Sequence, residues 1–181
     1  GAVPPLVGLA CTDDPNAQRT ALAALRGLCV SPEFRTVVVK EGILDPLVLM
    51  ARGGDPDLLR EVAAAFATLS SVAENKIELA DRAISTVVTL ALSGDDEVEK
   101  NAVAAVANLV EMLELHERFM AEQGLPPLIA LANAPDDHTK GEACRALANL
   151  AANREMHPHL TREGALPPLI SALSVDHPLC Q

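Results

Sequence analysis

The sequence predicts an all-α solenoid built from repeats of about 40–41 residues, with four repeats and part of a fifth. An apolar segment recurs five times at nearly constant spacing, with equivalent residues at Leu6, Leu47, Val87, Leu128 and Leu169. A second motif recurs in the same register and ends at Gly27, Thr68, Asn108 and Asn149. Both series are one residue short between the second and third copies, so a single deletion between Thr68 and Val87 explains both.

Each copy begins with a short apolar helix. The segments GAVPPLVGLA, GILDPLVLMA, RAISTVVTLA, QGLPPLIALA and GALPPLISAL begin at Gly1, Gly42, Arg82, Gln123 and Gly164. Proline suits the first turn of a helix, because its missing N–H would have no partner there. These five positions therefore mark the copies of one repeat domain over residues 1–181.

Two further helices complete each copy. Polar breaks at 12–16, 53–57, 93–96 and 134–137 carry Asp or Asn residues that can cap the longer helix that follows. A third, shorter helix is predicted at 33–41, 75–82, 116–123 and 156–163. The best strand candidate is Val37–Val38–Val39, but it is short and flanked by charge, so we predict helix there as well.

Composition excludes several classes of partner. The chain has 25 acidic and 14 basic residues, a net charge of −11, and only 2% aromatic residues. Such a chain repels phosphate backbones and anionic membrane surfaces, which argues against nucleic acid and favours a basic partner. The longest stretch without a charged residue, 123–135, has 13 residues and is too short for membrane insertion.

Neither a cofactor nor a metal site is predicted. Cys11, Cys29, Cys144 and Cys180 form no CxxC pair and indicate a reducing compartment, cytoplasmic or nuclear. His157 and His159 have no third ligand nearby and are interpreted as loop residues, and His116, His138 and His177 as surface residues. The chain does not begin with Met, and we interpret it as an excerpt of a longer protein.

The opening motif G-[AI]-[VLI]-P-P-L-[IV] and the helix motif A-x-x-A-L-x-N-L resemble armadillo repeats over about residues 1–175. HEAT repeats are the near alternative, but the proline pair and the three-helix unit favour armadillo. The resemblance implies a right-handed superhelix in which the longest helices line a concave groove. It also implies that an asparagine of each long helix binds the backbone of an extended peptide in that groove.

Asn108 and Asn149 match that asparagine, Thr68 is a weaker substitute, and Gly27 departs from the motif. In nuclear-import adaptors of the family, the position four residues earlier carries tryptophan. Here that position holds Ala23, Ala64, Ala104 and Arg145. Without the aromatic rings a lysine cannot be held by cation–π contacts, which argues against recognition of nuclear signals. Together with the slot seven residues earlier, these positions form one helix face, here called the groove stripe. Its members are Thr20/Ala23/Gly27, Glu61/Ala64/Thr68, Asn101/Ala104/Asn108 and Glu142/Arg145/Asn149.

The first copy of the groove stripe is nearly bare, so we expect ligand contact on copies two to four. The predicted peptide-binding residues are Glu61, Thr68, Asn101, Asn108, Glu142, Arg145 and Asn149. Two alternatives stay open at this point. Asn108 and Asn149 could bridge neighbouring repeats instead of binding peptide, and Arg145 could pair with Glu142 one turn away.

These observations predict a non-enzymatic protein–protein interaction module, or scaffold, that binds an extended segment of basic or mixed charge. The alternative is an architectural spacer that self-assembles through open repeat ends, as an end-to-end or swapped homo-oligomer. Leu6, Val7 and Leu9 would lie at such an end. An enzyme is the remote alternative, because no catalytic motif is present and the carboxylates cluster in loops.

Overall fold

The computed structural model describes residues 1–173, with side-chain surroundings through residue 170, and its regular elements in that range are helices. This confirms the all-α prediction, including helix at Val37–Val39. His177 and Cys180 lie outside the described residues. The helices are α1 (Val3–Ala10), α2 (Pro15–Leu28), α3 (Pro32–Lys40), α4 (Leu44–Ala51), α5 (Pro56–Ser70), α6 (Ala73–Leu90), α7 (Asp96–Leu109), α8 (His116–Ala121), α9 (Leu125–Leu131), α10 (Asp137–Ala151), α11 (His157–Arg162) and α12 (Leu166–Leu173).

The long helices α2, α5, α7 and α10 each begin immediately after an aspartate that caps them. The carboxylates of Asp14, Asp55, Asp95 and Asp136 accept hydrogen bonds from backbone N–H groups of the first turn. The shortest of these bonds joins the N–H of Thr139 to Asp136 over 2.7 Å. The capping role predicted for the polar breaks is therefore confirmed, since each cap satisfies an N–H that has no partner within the helix.

The long helices lie side by side along the chain, with α2 against α5, α5 against α7 and α7 against α10. The short helices α1, α4 and α9 and the second half of α6 pack on them. Equivalent positions of successive copies are buried alike and join into one continuous core. One such position holds Ala21, Val62, Ala102 and Ala143, all 0% exposed.

Three of the predicted boundaries are left-handed turns that end a third helix. Gly42, Gln123 and Gly164 have φ angles of 87°, 55° and 80°. At each of them the N–H of the next residue bonds back to a carbonyl five residues earlier, the signature of a Schellman motif. The pairs are Ile43 with Val38, Gly124 with Phe119, and Ala165 with Leu160.

The boundary at Arg82 is different, and the prediction of a separate helix over 75–82 is wrong. Helix α6 runs without interruption for 18 residues, from Ala73 to Leu90, and joins the third helix of copy two to the first helix of copy three. Arg82 replaces the glycine, and Ser85 and Thr86 stand where other copies carry prolines. A side chain alone does not prevent a positive φ angle, as Gln123 shows at the equivalent slot, but after Arg82 no proline follows to interrupt the hydrogen bonding of the helix.

The third helices of the later copies begin at or next to the predicted residues, α8 at His116 and α11 at His157. Short 3-10 turns at Leu113–Leu115 and Arg154–Met156 lead into α8 and α11. His157 and His159 both lie in α11, so the interpretation of these two histidines as loop residues is wrong. Among the described residues, no helix has both the length and the apolar character needed to span a bilayer.

The first copy exposes part of the apolar surface expected at an open end. Leu9 is 36% exposed, whereas Met50, the equivalent residue of copy two, is 4% exposed. Leu6 is half-buried. Val7, however, is only 6% exposed, because it belongs to the hydrophobic core. The expectation that Val7 lies at an open end is therefore wrong.

Candidate functional site

The groove stripe lies on the four long helices, and nearly all of its residues reach the surface. Thr20, Ala23 and Gly27 are exposed, and the members on α5 and α7 are half-buried. Glu142 is the exception at 9% exposure. The structure thus gives these twelve positions a shared helix face, while the small residues Ala23, Ala64 and Ala104 leave its middle row shallow.

Asn108 bridges three long helices. Its Nδ2 donates to the Oγ of Ser70 over 3.1 Å and to the carbonyl of Ala67 over 3.4 Å, both in α5. Its Oδ1 accepts a hydrogen bond of 3.0 Å from Nη2 of Arg145 in α10. The bridging alternative is therefore found at this residue, and its amide is occupied on both sides.

Asn149 also bridges to the preceding long helix, but with fewer bonds. Its Nδ2 donates to the carbonyl of Ala107 over 3.3 Å. Asn101 donates to the carbonyl of Glu97 within its own helix, and the hydroxyl of Thr68 donates to the carbonyl of Ala64. Among the described residues, the Oδ1 atoms of Asn101 and Asn149 accept no hydrogen bond, so both amides keep bonding capacity toward solvent.

Arg145 pairs with Glu142, as the second alternative expected, and with a further carboxylate. Its guanidinium donates to Glu142 Oε2 over 2.6 and 3.0 Å and to Glu111 Oε1 over 2.7 Å. Glu111 also accepts a hydrogen bond from Lys76, whose side chain is 6% exposed. Two cations and two carboxylates therefore neutralise each other between copies two and four.

A second ion pair lies at the other end of the groove stripe. Nη1 of Arg26 in α2 approaches Oε2 of Glu61 in α5 to 3.3 Å, and the Glu61 side chain is 23% exposed. The geometry is that of an ion pair without a well-formed hydrogen bond, because this buried carboxylate oxygen has no hydrogen-bond partner. That oxygen is closed to solvent, so a ligand could approach Glu61 only through the rest of its side chain, which is 23% exposed overall.

The capping aspartates have a second role that sequence reasoning missed. Asp55 forms an ion pair with Arg19 of the preceding long helix over 3.2 Å. In the same way, Asp95 forms an ion pair with Arg60 over 2.6 Å. The signal was present in the sequence, because a cation follows each of the first three caps by five residues, at Arg19, Arg60 and Lys100. This series is called the cap ladder here.

The cap ladder also affects protonation. The hydrogen bond from Arg60 lowers the pKa of Asp95 below its ordinary value, and the N–H of Val98 adds to this effect. The pKa of Asp136 is lowered mainly by the N–H and hydroxyl of Thr139, with Lys100 a smaller cause. Both carboxylates thus stay ionised to lower pH than a solvated aspartate.

His116 is buried at 0% exposure, so the prediction that it lies on the surface is wrong. Its Nε2 contacts the carbonyl of Val110, which is six residues earlier, over 2.7 Å. Equivalent residues Arg35, Asn75 and His157 each reach the carbonyl six residues before them. The side chain at this position bonds a carbonyl at the end of each long helix that would otherwise have no partner. Polar residues recur there once per repeat, and this recurrence was a signal that sequence reasoning overlooked.

The structure shows no catalytic grouping within the described residues. No three side chains of His, Cys, Asp or Glu type come together there in a way that could hold a metal. Burial raises the pKa of the Cys29 thiol, so the reactive thiolate is disfavoured. The outer surface has a cleft of about 540 Å³ between α6 and α9, which shares no residue with the groove stripe.

Comparison with known proteins gives matches of one kind. The profile of the Armadillo/beta-catenin-like repeat matches residues 1–30 and 118–152. No curated protein sequence matches the chain. A crystal structure of computationally designed armadillo repeat proteins for modular peptide recognition is 30% identical, with a TM-score of 0.92, and the match covers 100% of this chain and 78% of that chain.

Two further solved structures are similar. A designed armadillo repeat protein in complex with the peptide (KR)4 is 29% identical with a TM-score of 0.90, and the match covers 100% of this chain and 78% of that one. An engineered protein is 27% identical with a TM-score of 0.91, over 100% of this chain and 75% of that one. The repeat solenoid predicted from the sequence is therefore confirmed.

Proposed function

The chain belongs to the armadillo-repeat family, and from that premise we propose that it is a non-enzymatic interaction module that binds an extended peptide segment along the groove stripe. The observation that carries this proposal is the groove stripe itself. Four successive long helices carry the groove stripe, with alanine in the middle row of the first three helices and Arg145 in the fourth. Amides and carboxylates lie beside that row in copies two to four.

The dimensions suit a short extended segment. Four helices packed at about 8–10 Å from one another span roughly 30–40 Å. An extended chain advances about 3.3 Å per residue, so about ten residues would cover the groove stripe. Copies two to four carry the polar side chains, so we place the contacts there.

The partner segment is of basic or mixed charge. The net charge of −11 favours a basic partner over long range. Within the groove stripe, Glu61 is a partly exposed carboxylate, while Arg145 is already balanced by two carboxylates. A designed relative binds the peptide (KR)4, which is consistent with a basic ligand on this fold. We also propose a cytoplasmic or nuclear location, because the spacing of the four cysteines does not suggest a disulfide scaffold.

The test blocks the groove stripe without disturbing the core. Ala104→Arg adds a long cation between Asn101 and Asn108, and Ser85→Arg adds the same side chain on the exposed face of α6. A library of random 12-residue peptides displayed on phage is the probe. We expect the wild type and Ser85→Arg to capture a common set of peptides that Ala104→Arg loses, while both variants melt like the wild type. Equal capture by Ala104→Arg would contradict the proposal.

One observation favours the architectural alternative, in which copies associate through the open end. Leu9 is 36% exposed, while its equivalents Met50, Leu90 and Leu131 are 4–7% exposed. Sedimentation at rising concentration tests this function, with Leu9→Glu as the variant and Leu92→Glu, at an exposed position on the outer surface, as the control. Association that Leu9→Glu abolishes supports it, and a monomer at all concentrations contradicts it.

A further inference from the structure

We infer that Arg145 and Ser70 withdraw Asn108 from ligand contact, so that Asn149 is the asparagine of the groove stripe that binds the main chain of a peptide. This inference rests on the proposed function and makes it more specific. The two asparagines are equivalent in the repeat, and the sequence alone gives no reason to separate them. Their neighbours in the structure differ.

The amide of Asn108 has little bonding capacity left. A primary amide has two N–H donors and one oxygen acceptor. The donors of Asn108 are directed at Ser70 and at the carbonyl of Ala67, and its oxygen accepts from Arg145. Ser70 is 0% exposed and itself donates to the carbonyl of Ala67 over 3.0 Å. A peptide would have to displace bonds on both sides of this amide.

Asn149 lacks the serine competitor. The slot that holds Ser70 in copy two holds Val110 in copy three, and valine cannot accept a hydrogen bond. The single bond of Asn149 leads to the carbonyl of Ala107, and its oxygen accepts none from the described residues. One N–H and the oxygen therefore have no partner among the described residues, and these are the groups that one peptide unit needs for a paired donor and acceptor contact.

Arg145 is held in the position that blocks Asn108. Its Nε, Nη1 and Nη2 atoms all donate, to Glu142, Glu111 and Asn108. Glu111 is fixed in turn by Lys76, whose side chain is largely buried. Releasing Arg145 would expose two carboxylates without their cation, so we do not expect a ligand anion to recruit this arginine. Arg145 acts here as a specificity-determining residue through Asn108.

The first experiment needs no ligand. Side-chain NH₂ signals of Asn108 and Asn149 are followed by ¹⁵N NMR, and their exchange with water is compared. We expect slower exchange at Asn108 than at Asn149 in the wild type, and faster exchange at Asn108 in Ser70→Ala/Arg145→Met, with Asn149 unchanged. Equal exchange rates in the wild type, or no response to the double variant, would overturn the inference.

The second experiment measures peptides selected from the phage library by binding to synthetic copies. Asn149→Ala removes two hydrogen bonds and is expected to weaken binding about tenfold. Asn108→Ala is expected to weaken it less than about twofold, as is Asn133→Ala, which removes an exposed amide outside the groove stripe. In the Ser70→Ala/Arg145→Met background, the effect of Asn108→Ala should grow toward that of Asn149→Ala.

The outcomes separate the two proposals. Binding that Asn108→Ala and Asn149→Ala weaken equally in the wild type overturns the inference and leaves the proposed function standing. Failure to recover any peptide that depends on the groove stripe counts against the proposed function, while the NMR experiment still decides whether Asn108 is withdrawn.

Discussion

The boundary between copies two and three is built differently from the boundaries on either side of it. At Gly42, Gln123 and Gly164 the chain takes a positive φ angle and the third helix ends. At Arg82 the same repeat position lies inside α6, which continues to Leu90. The long helices nevertheless remain in contact across this boundary, α5 with α7, as α7 remains with α10 across the next. The stacking of copies therefore depends on the long helices and not on the turn.

The three turn boundaries also differ from one another in how they fill the same space. The N–H of the residue after the turn bonds to the carbonyl five positions before it, and at Gly124 the Phe119 ring fills the space that a Cβ atom would take. Where that earlier residue is Val38, the later one is Ile43, and where it is Phe119, the later one is Gly124. Both Phe119 and Val38 are 1% exposed. A larger side chain at one of the two positions is thus accompanied by a smaller one at the other, so that the two side chains together fill a similar volume, as dense packing requires.

The largest effect is expected from Gly124→Ala. A methyl group on Gly124 would lie 2.1 Å from Cε2 of the buried Phe119 ring. Overpacking of this kind costs roughly 1–3 kcal/mol of unfolding free energy, measured by denaturant titration. Phe119→Leu reproduces the Leu160/Ala165 pair of copy four, so the double variant should recover much of the loss. Strictly additive losses in the double-mutant cycle would refute the exchange of volume.

Arg82→Gly should destabilise the protein by about 1 kcal/mol, because glycine is a poor residue inside a helix. The change also removes the hydrogen bonds from Arg82 to Asp45. Arg82→Ala loses the same bonds but keeps the helix, so the difference between the two variants isolates the backbone effect. If Arg82→Gly is no less stable than Arg82→Ala, α6 is not a continuous helix in solution.

Gln123→Gly, at the position equivalent to Arg82, should stabilise the protein, whereas Arg82→Gly should destabilise it. Gln123 has a φ angle of 55°, which is unfavourable for any residue with a Cβ atom. Glycine removes that strain at the cost of a more flexible unfolded chain, so we expect a net gain of roughly 0.5 kcal/mol. Thermal melts of Gln123→Gly and Gln123→Ala, compared in one buffer, measure the gain. A Gln123→Gly variant less stable than Gln123→Ala would contradict the turn.

The smallest expected effect is on unfolding by acid. It distinguishes the Arg60–Asp95 interaction between copies two and three from the Lys100–Asp136 interaction between copies three and four. The lowered pKa of Asp95 means that its contribution to stability is complete above the ordinary aspartate pKa of about 3.9 and is lost as the pH falls below it. Arg60→Gln should raise the pKa of Asp95 and move acid unfolding to higher pH. Lys100→Gln should affect Asp136 less, because the Thr139 groups are the main cause there. Carboxyl ¹³C titrations measure both shifts, and equal responses would contradict this assignment.

Sequence reasoning was sufficient for the parts of the fold that repeat. The spacing of Leu6, Leu47 and the later equivalents gave the solenoid, and the polar breaks gave the caps at Asp55 and Asp136. The spacing shows that one residue is missing between copies two and three. A deletion alone does not say whether the turn at that boundary becomes tighter or is replaced by continuous helix. The absence of glycine and proline around Arg82 was the information that decided it.

The groove stripe was predicted as a set of positions, while the contacts made by its residues were not. Helical periodicity brings Asn101, Ala104 and Asn108 to one face, and the structure has them there. The partners of Asn108 come from residues that are 38 positions earlier and 37 positions later in the chain, Ser70 and Arg145. Periodicity places equivalent residues together, but it does not determine which side chains at neighbouring, non-equivalent slots will meet.

The cap ladder has a consequence for how such a chain can be rearranged. Each ion pair of the cap ladder joins the capping aspartate of one copy to a cation of the preceding copy, as Asp95 is joined to Arg60. Duplicating a whole block of copy two would reproduce both members of such an ion pair at the new junction. A junction placed after copy four would not, because Gly141 stands where Arg19 and Arg60 stand in their copies. Order therefore matters when these modules are shuffled, and the second unit is the better one to multiply.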